Sequence, residues 1–141
     1  MKSNRRRSRE FALQGLYQWQ LAKTDTATIA RQLAEARGFD KIDTEYFSIL
    51  LDGAVGHAVA LQQEITPCID RPFGELSPVE RGILLLAGYE LMHRPEIPYR
   101  VVINEAVELA KSYGGTDGHK FINGVLDKLA ARVRAPEARP A

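Results

Sequence analysis

The sequence predicts an all-α fold, and three observations support this prediction. Apolar residues recur at three- and four-residue spacing through most of the 141-residue chain, as they do on one face of a helix. No segment bounded by turn residues alternates apolar and polar residues as a half-buried strand would. Capping residues, prolines and glycines stand where helices commonly begin and end. Together these signals predict six helices.

The first two helices occupy the N-terminal quarter of the chain. The first is predicted over about residues 4–22. The second begins at a cap formed by Asp25 or Thr26, because both side chains can accept a hydrogen bond from a free backbone N–H. It runs to about residue 36, and Gly38 ends it.

A long third helix is predicted from about residue 43 to residue 66, where Pro67 opposes continuation. Two glycines, Gly53 and Gly56, weaken this helix locally. They also permit close approach of another helix, which is the interpretation favoured here.

The fourth helix has the strongest start signal in the sequence. Ser77 is a cap, Pro78 occupies the first helical position and Glu80 the third. The helix runs to about His93 and is apolar on most sides, which predicts a central, buried position.

Two further helices complete the predicted fold. The fifth begins at about Tyr99 or Val101 and ends before Gly114, and the sixth covers about residues 117–134. Residues 1–134 are therefore predicted to form a single domain. The tail over residues 135–141 is predicted to be disordered, because it is short and contains two prolines.

The small net charge of +1 conceals an uneven distribution along the chain. Residues 1–9 carry five basic side chains and no acid. Residues 10–119 carry a net charge of −7, and residues 120–141 a net charge of +3. Two basic ends around an acidic middle indicate one surface for a polyanion and another for a cationic partner.

Several function classes find no support in the sequence. No apolar run approaches the length of a membrane span, and no apolar signal-peptide core follows the basic N-terminus, which predicts a cytoplasmic location. Cys68 is the single cysteine and is interpreted as a structural thiol. His57, His93 and His119 fall in separate segments, so no metal site is predicted. The sequence contains no catalytic or cofactor-binding motif, so the protein is predicted not to be an enzyme and to bind no cofactor.

The first candidate binding feature is the group of arginines that begins the first helix. Cations at a helix N-terminus oppose the macrodipole and destabilise the helix, which an external anion would relieve. Their planar guanidinium groups suit phosphate. The alternative is a solvated, frayed terminus. The basic side chains concerned are Lys2, Arg5, Arg6, Arg7 and Arg9.

Aromatic residues and a second helix start supply the other candidates. Tyr17 and Trp19 follow the arginines on the same helix, Tyr17 as a stacking face and Trp19 as a core residue. Asp117 can cap the sixth helix, while Lys120 and Phe121 offer a phosphate contact and a stacking face. Alternatively, Phe121 belongs to the core.

The chain resembles the NusB family of bacterial transcription antitermination factors over nearly its whole length. The segments that carry the resemblance are RRRSRE at 5–10 with Gln14, LYQWQ at 16–20, EL at 90–91, IPY at 97–99, VINEAVELAK at 102–111 and HKFINGVLD at 119–127. The resemblance implies two packed three-helix subdomains.

The same resemblance implies a function and partners. Members bind the single-stranded boxA element of nascent RNA together with NusE, a small-subunit ribosomal protein, within the RNA polymerase antitermination complex, notably on ribosomal RNA operons. The implied RNA surface comprises the N-terminal basic residues, Tyr17, Asp117, Lys120 and Phe121. The resemblance also implies that Glu75 and Glu80 contact NusE, although Glu80 also serves as a helix cap.

Two other functions stay open at this stage. A helical protein-interaction module with no RNA role would dock a basic partner on its acidic middle and leave its arginines solvated. An RNA-modifying enzyme is disfavoured by the missing catalytic motifs. A homodimer that hides the basic surface is also left open.

Overall fold

The computed structural model describes residues 4–115 and 117–138, except the side chains of Pro136 and Ala138. Lys2, one of the predicted RNA contacts, lies outside the described residues. No strand occurs in the described ranges, and the prediction of an all-α fold is confirmed. The helices are α1 Asn4–Ala22, α2 Thr26–Leu33, α3 Thr44–Gly56, α4 Ala58–Ile65, α5 Pro78–His93, α6 Tyr99–Tyr113, α7 Gly118–Val133 and α8 Ala135–Ala138.

Two three-helix units pack around one continuous core. Helices α1, α2 and α3 form the first unit, and α5, α6 and α7 form the second. Helix α5 also contacts α1 and α3, so it joins the two units. Its residues 82–88 are buried without interruption, as expected from its apolar sequence. None of the described helices has both the length and the apolarity of a membrane span.

The predicted helix starts form by the expected local chemistry. Ser77 Oγ accepts a hydrogen bond from the Glu80 backbone N–H at 3.1 Å, and the Glu80 carboxylate accepts one from the Ser77 N–H at 3.3 Å. This reciprocal capping box begins α5. Asp25 Oδ1 accepts from the Thr28 N–H at 2.9 Å and caps α2.

The predicted third helix is instead two helices, α3 and α4, separated at His57. The backbone of His57 has φ −109° and ψ 15°, outside the helical region. Gly56 directly precedes it and lowers helix propensity at the break. The prediction of close approach is confirmed at Gly53, where a Cβ would lie 2.3 Å from the ring of Tyr89 on α5, whereas a Cβ at Gly56 would meet no atom within 4 Å.

The C-terminal end of the described chain secures the end of α5. The buried guanidinium of Arg134 donates hydrogen bonds to the backbone carbonyls of Glu90, Leu91, Arg94 and Ile97, at 2.7 to 3.2 Å. These include carbonyls that a helix end leaves without internal partners.

The segment after Arg134 differs from the predicted disordered tail. Residues Ala135–Ala138 form α8, whose Glu137 carboxylate accepts hydrogen bonds from the Tyr99 N–H and from Arg134. Residues 139–141 lie outside the described part. The domain boundary at residue 134 stays a prediction.

Candidate nucleic-acid interface

One face of α1 carries several of the predicted contact residues. Arg6, Glu10 and Tyr17 are spaced by four and seven residues, which places them on the same side of the helix. This side faces α6, because Arg6 contacts Glu105 and the Tyr113 hydroxyl donates a weak hydrogen bond to Glu10 at 3.4 Å. The candidate surface therefore runs along the seam between α1 and α6.

Arg9 does not lie on this surface, because only 5% of the residue is exposed. Its Nη2 and Nε atoms contact the Glu90 carboxylate at 2.8 and 3.0 Å, and Nη1 lies 3.2 Å from Glu105. The Tyr46 hydroxyl donates to the same Glu90 carboxylate. We call Arg9, Tyr46, Glu90 and Glu105 the buried ion cluster.

Burial and the neighbouring carboxylate act in opposite directions on the pKa of Arg9 in this cluster. Burial by itself would lower the pKa of Arg9, but the hydrogen bonds and negative charge of Glu90 outweigh that effect and raise it. Burial, together with Glu90, raises the pKa of Tyr46. The sequence predicts a phosphate contact from Arg9, but in the fold its guanidinium is buried and paired with carboxylates.

The other described arginines of α1 remain at least partly accessible. Arg6 Nη2 lies 2.6 Å from Glu105, and the hydrogen bond and charge of that carboxylate raise the pKa of Arg6, while 40% of its side chain stays exposed. Arg5 is exposed and lies over the Tyr46 ring, 4.1 Å from its centroid. Arg7 is half-buried and forms no ion pair in the described part of the chain.

An apolar cleft lies along α1, beside residues of α2, α5 and α6. Tyr17 and Tyr113 line it and are 44% and 45% exposed. The cleft has a volume of about 380 Å³. The other residues that line it are Glu10, Leu13, Gln14, Gln18, Leu33 and Val79.

The start of α7 is arranged differently from the predicted cap. Asp117 occupies the N-cap position, but its side chain makes no capping hydrogen bond. Instead, its carboxylate lies 3.7 Å from the Lys120 ammonium, and both side chains are about three-quarters exposed. Asp117 and Lys120 therefore face solvent at the end of the α6–α7 loop, where an external ligand can reach them.

Phe121 lies next to these two residues and is half-buried. The guanidinium of Arg71 lies over its ring, 4.7 Å from the centroid, in a cation–π contact. The ring packs against the core, and Val125 is buried one turn later.

The two glutamates assigned to a protein partner lie near Arg71. Glu75 is exposed in a short 3₁₀ turn, Phe73–Glu75, and Glu80 is half-buried in the capping box of α5. The negative charge of both contributes to a raised pKa of Arg71, after the larger effect of Asp70. These glutamates are thus close to the Phe121 side of the surface.

Two of the histidines are paired in the fold, and the cysteine is buried beside the start of α7. The fold brings the rings of His57 and His93 to 4.3 Å between centroids, which the sequence did not indicate, and His119 is not part of that pair. No group of three or more metal-ligating side chains occurs among the described residues. Cys68 is a buried free thiol.

The sequence did not predict several residues that the fold places at or beneath this surface. Glu90 and Glu105 fall in segments that resemble the family, but only the fold shows that they pair with arginines of α1. The sequence carries no signal that Arg71 or Tyr113 belongs to the surface. Arg71 contacts Phe121, and Tyr113 lines the same cleft as Tyr17, but both pairs are distant in sequence.

The fold and the surface define a class: an all-helical protein with exposed cations and accessible aromatic rings along adjoining helices, a combination typical of proteins that bind RNA. Comparison with known proteins is more specific. The model of the NusB family matches residues 6–131. The chain therefore belongs to the NusB family.

Curated relatives carry the name transcription antitermination protein NusB. The protein from Nitrosospira multiformis is 64% identical over 129 residues, covering 92% of this chain and 82% of the relative. The protein from Paraburkholderia phymatum is 55% identical over 141 residues, covering 100% of this chain and 97% of the relative. Similarity at this level extends over the helices that build the candidate surface.

Solved structures share the fold. NusB of T. maritima superposes with a TM-score of 0.80 at 30% identity and covers 92% of both chains. A crystal structure of the antitermination factors NusB and NusE in complex with double-stranded RNA gives a TM-score of 0.82 at 27% identity, covering 94% of this chain and 99% of that one.

Proposed function

We propose that this chain is a transcription antitermination factor that binds a boxA-type single-stranded RNA together with a NusE-type ribosomal protein. It acts as a non-catalytic adaptor in the cytoplasm, within the RNA polymerase antitermination complex. Membership of the NusB family supports the class of function, and the related NusB–NusE–RNA complex supports both partners.

The observation that carries the RNA assignment is the surface from the start of α1 to the start of α7. Arg5, Arg6 and Arg7 supply cations at one end, and Lys120 supplies one at the other. Such cations give affinity for the RNA backbone without reading its sequence.

Aromatic and acidic groups on the same surface favour an unpaired strand. Tyr17 is half-exposed, and Phe121 lies beside the exposed Lys120, so both rings are placed to stack bases that a duplex would keep paired. The exposed Asp117 carboxylate can accept a hydrogen bond from the edge of a base. Its pairing with Lys120 holds it beside the phosphate contact.

The protein partner is proposed to dock beside this surface. Glu75 and Glu80 offer negative charge to a basic ribosomal protein, and the apolar cleft beside Val79 can receive its side chains. The same cleft is the observation that favours the alternative function, a protein-interaction module without an RNA role.

A titration of boxA-type RNA at several salt concentrations tests the proposal, with and without purified NusE. We expect binding that weakens linearly in log affinity against log salt, and a clear preference for the single strand over the same RNA annealed to its complement. Sedimentation of each sample identifies a homodimer that would hide the surface. Binding of NusE without any RNA binding, alone or with NusE, would favour the protein-interaction module.

A further inference from the structure

Gly124 is an exposed glycine in the interior of α7, where glycine is the least favourable residue after proline. Nothing within the described fold accounts for it. Its φ is not in the left-handed region, and a Cβ at this position would meet no atom within 4 Å. By contrast, a Cβ at Gly53 or at Gly82 would collide with a neighbouring side chain.

A groove of about 190 Å³ lies beside Gly124. Because glycine has no side chain, the helix backbone is open to whatever enters this groove. Phe121 and Lys120 of the proposed RNA surface belong to the groove as well. Its remaining lining residues are Cys68, Ile69, Asp70, Val125 and Lys128.

The groove contains a lysine that forms no ion pair with the described residues. Lys128 is exposed and has no carboxylate within 4.0 Å in the described part of the chain. The one acidic residue among the lining side chains, Asp70, is paired with Arg71 at 2.9 Å. Lys128 also belongs to the basic segment 120–141, from which Lys120 is the only cation among the predicted RNA contacts.

We infer that this groove, which we call the α7 groove, receives the sugar–phosphate backbone of the bound RNA beyond Phe121. Gly124 admits the strand close to the helix, and Lys128 contacts a phosphate. Lys120, Gly124 and Lys128 follow one another at four-residue spacing on one side of α7, so they form a track of about 12 Å. The inference rests on the proposed function and extends its surface.

RNA fits this groove better than a protein segment does. The groove begins at Phe121 and Lys120, so a strand stacked on that ring passes into it without leaving the surface. Its unpaired cation complements phosphate.

The experiment measures binding of boxA-type RNA by matched variants, in the presence of NusE. Lys128→Ala is expected to weaken binding by about threefold to tenfold and to reduce the salt slope by about one. Its control, Arg100→Ala, removes an exposed cation from α6 outside the groove and is expected to leave affinity unchanged.

A second pair of variants tests the space above Gly124. Gly124→Leu fills the groove and is expected to weaken binding by about tenfold or more. Asn123→Leu adds the same side chain one residue away, outside the groove, and is expected to bind as the native protein does. Gly124→Ala is expected to raise the midpoint of thermal unfolding by about 3 °C, because glycine disfavours the helix.

The outcomes separate this inference from the proposed function. If the native protein binds RNA while Lys128→Ala and Gly124→Leu bind equally well, the groove inference is overturned and the proposed function stands. If the native protein binds no RNA even with NusE, both fail. Weakened NusE binding or altered self-association in Gly124→Leu, with RNA affinity intact, assigns the groove to a protein and also overturns the inference.

Discussion

The beginnings of α1 and α7 are both basic and both lie on the candidate surface, yet they use their charges differently. In α1, Arg9 is buried between Glu90 and Glu105, and Arg6 shares Glu105. In α7, Lys120 pairs with the exposed Asp117, and 74% of the Lys120 side chain is exposed. In the first region Arg9 and Arg6 join helices, whereas Lys120 of the second region is proposed to contact the RNA.

The difference shows that a run of basic residues is not one functional unit. Arg9 has its partners within the fold, so removing it leaves the buried Glu90 carboxylate without its cation. Lys120 has its proposed partner outside the fold, so removing it should leave the protein intact. Variants that replace a basic residue in one region and leave the other region unchanged distinguish these roles.

Loss of Arg9 should have the largest effect. Arg9→Met leaves Glu90 buried without its cation, and we expect a loss of about 3 to 5 kcal/mol in the free energy of unfolding. Urea denaturation measures it. The double variant Arg9→Met with Glu90→Leu should recover part of that loss, while Arg7→Met should change stability by less than about 0.5 kcal/mol. A stability loss for Arg9→Met as small as that for Arg7→Met would contradict the buried ion cluster.

Loss of Arg134 should rank second among these changes. Arg134→Ala removes the donor to four backbone carbonyls at the end of α5, and we expect a loss of about 2 to 3 kcal/mol. The neighbouring Arg132 pairs with Glu64 on the surface, so Arg132→Ala should cost less than about 1 kcal/mol. Equal losses in the two variants would show that Arg134 does not secure the helix end.

A smaller, pH-dependent effect is expected at His93, an exposed residue whose ring lies 4.3 Å from the ring of His57 between centroids. Burial, followed by the nearby His57, lowers the pKa of His93 in the fold. The unfolded chain then binds the proton more readily, so stability is full above the ordinary pKa of about 6.5 and falls as pH drops below it. His93→Gln should flatten this dependence, whereas His119→Gln should retain it; a native profile in His93→Gln would assign the dependence to other groups.

The local parts of the fold were predictable from sequence. The start of α5 depends on Ser77, Pro78 and Glu80, which lie within four residues and act on each other directly. The end of α1 and the bounds of α6 follow from similarly local signals. The break at His57 was missed, because Pro67 provides a strong stop ten residues later and the helical pattern continues across the break.

The candidate site was predictable only in part, because its key contacts are distant in sequence. The sequence predicts Arg9 as an RNA contact, because its partner Glu90 is 81 residues away and the pairing is visible only in the fold. Arg71 was overlooked for the same reason, since its contact with Phe121 exists only in the folded chain. Asp117 was correctly placed at a helix start, but its side chain turned to Lys120 rather than to the backbone.

The most direct test of the contrast between α1 and α7 is the salt dependence of RNA affinity for two variants, Lys120→Ala and Arg9→Met, each measured with NusE under conditions where it is folded. Lys120→Ala should weaken binding by about threefold to tenfold and reduce the salt slope by about one, with stability almost unchanged. Arg9→Met should keep the native salt slope despite its lower stability. A native slope for Lys120→Ala together with a reduced slope for Arg9→Met would contradict the account.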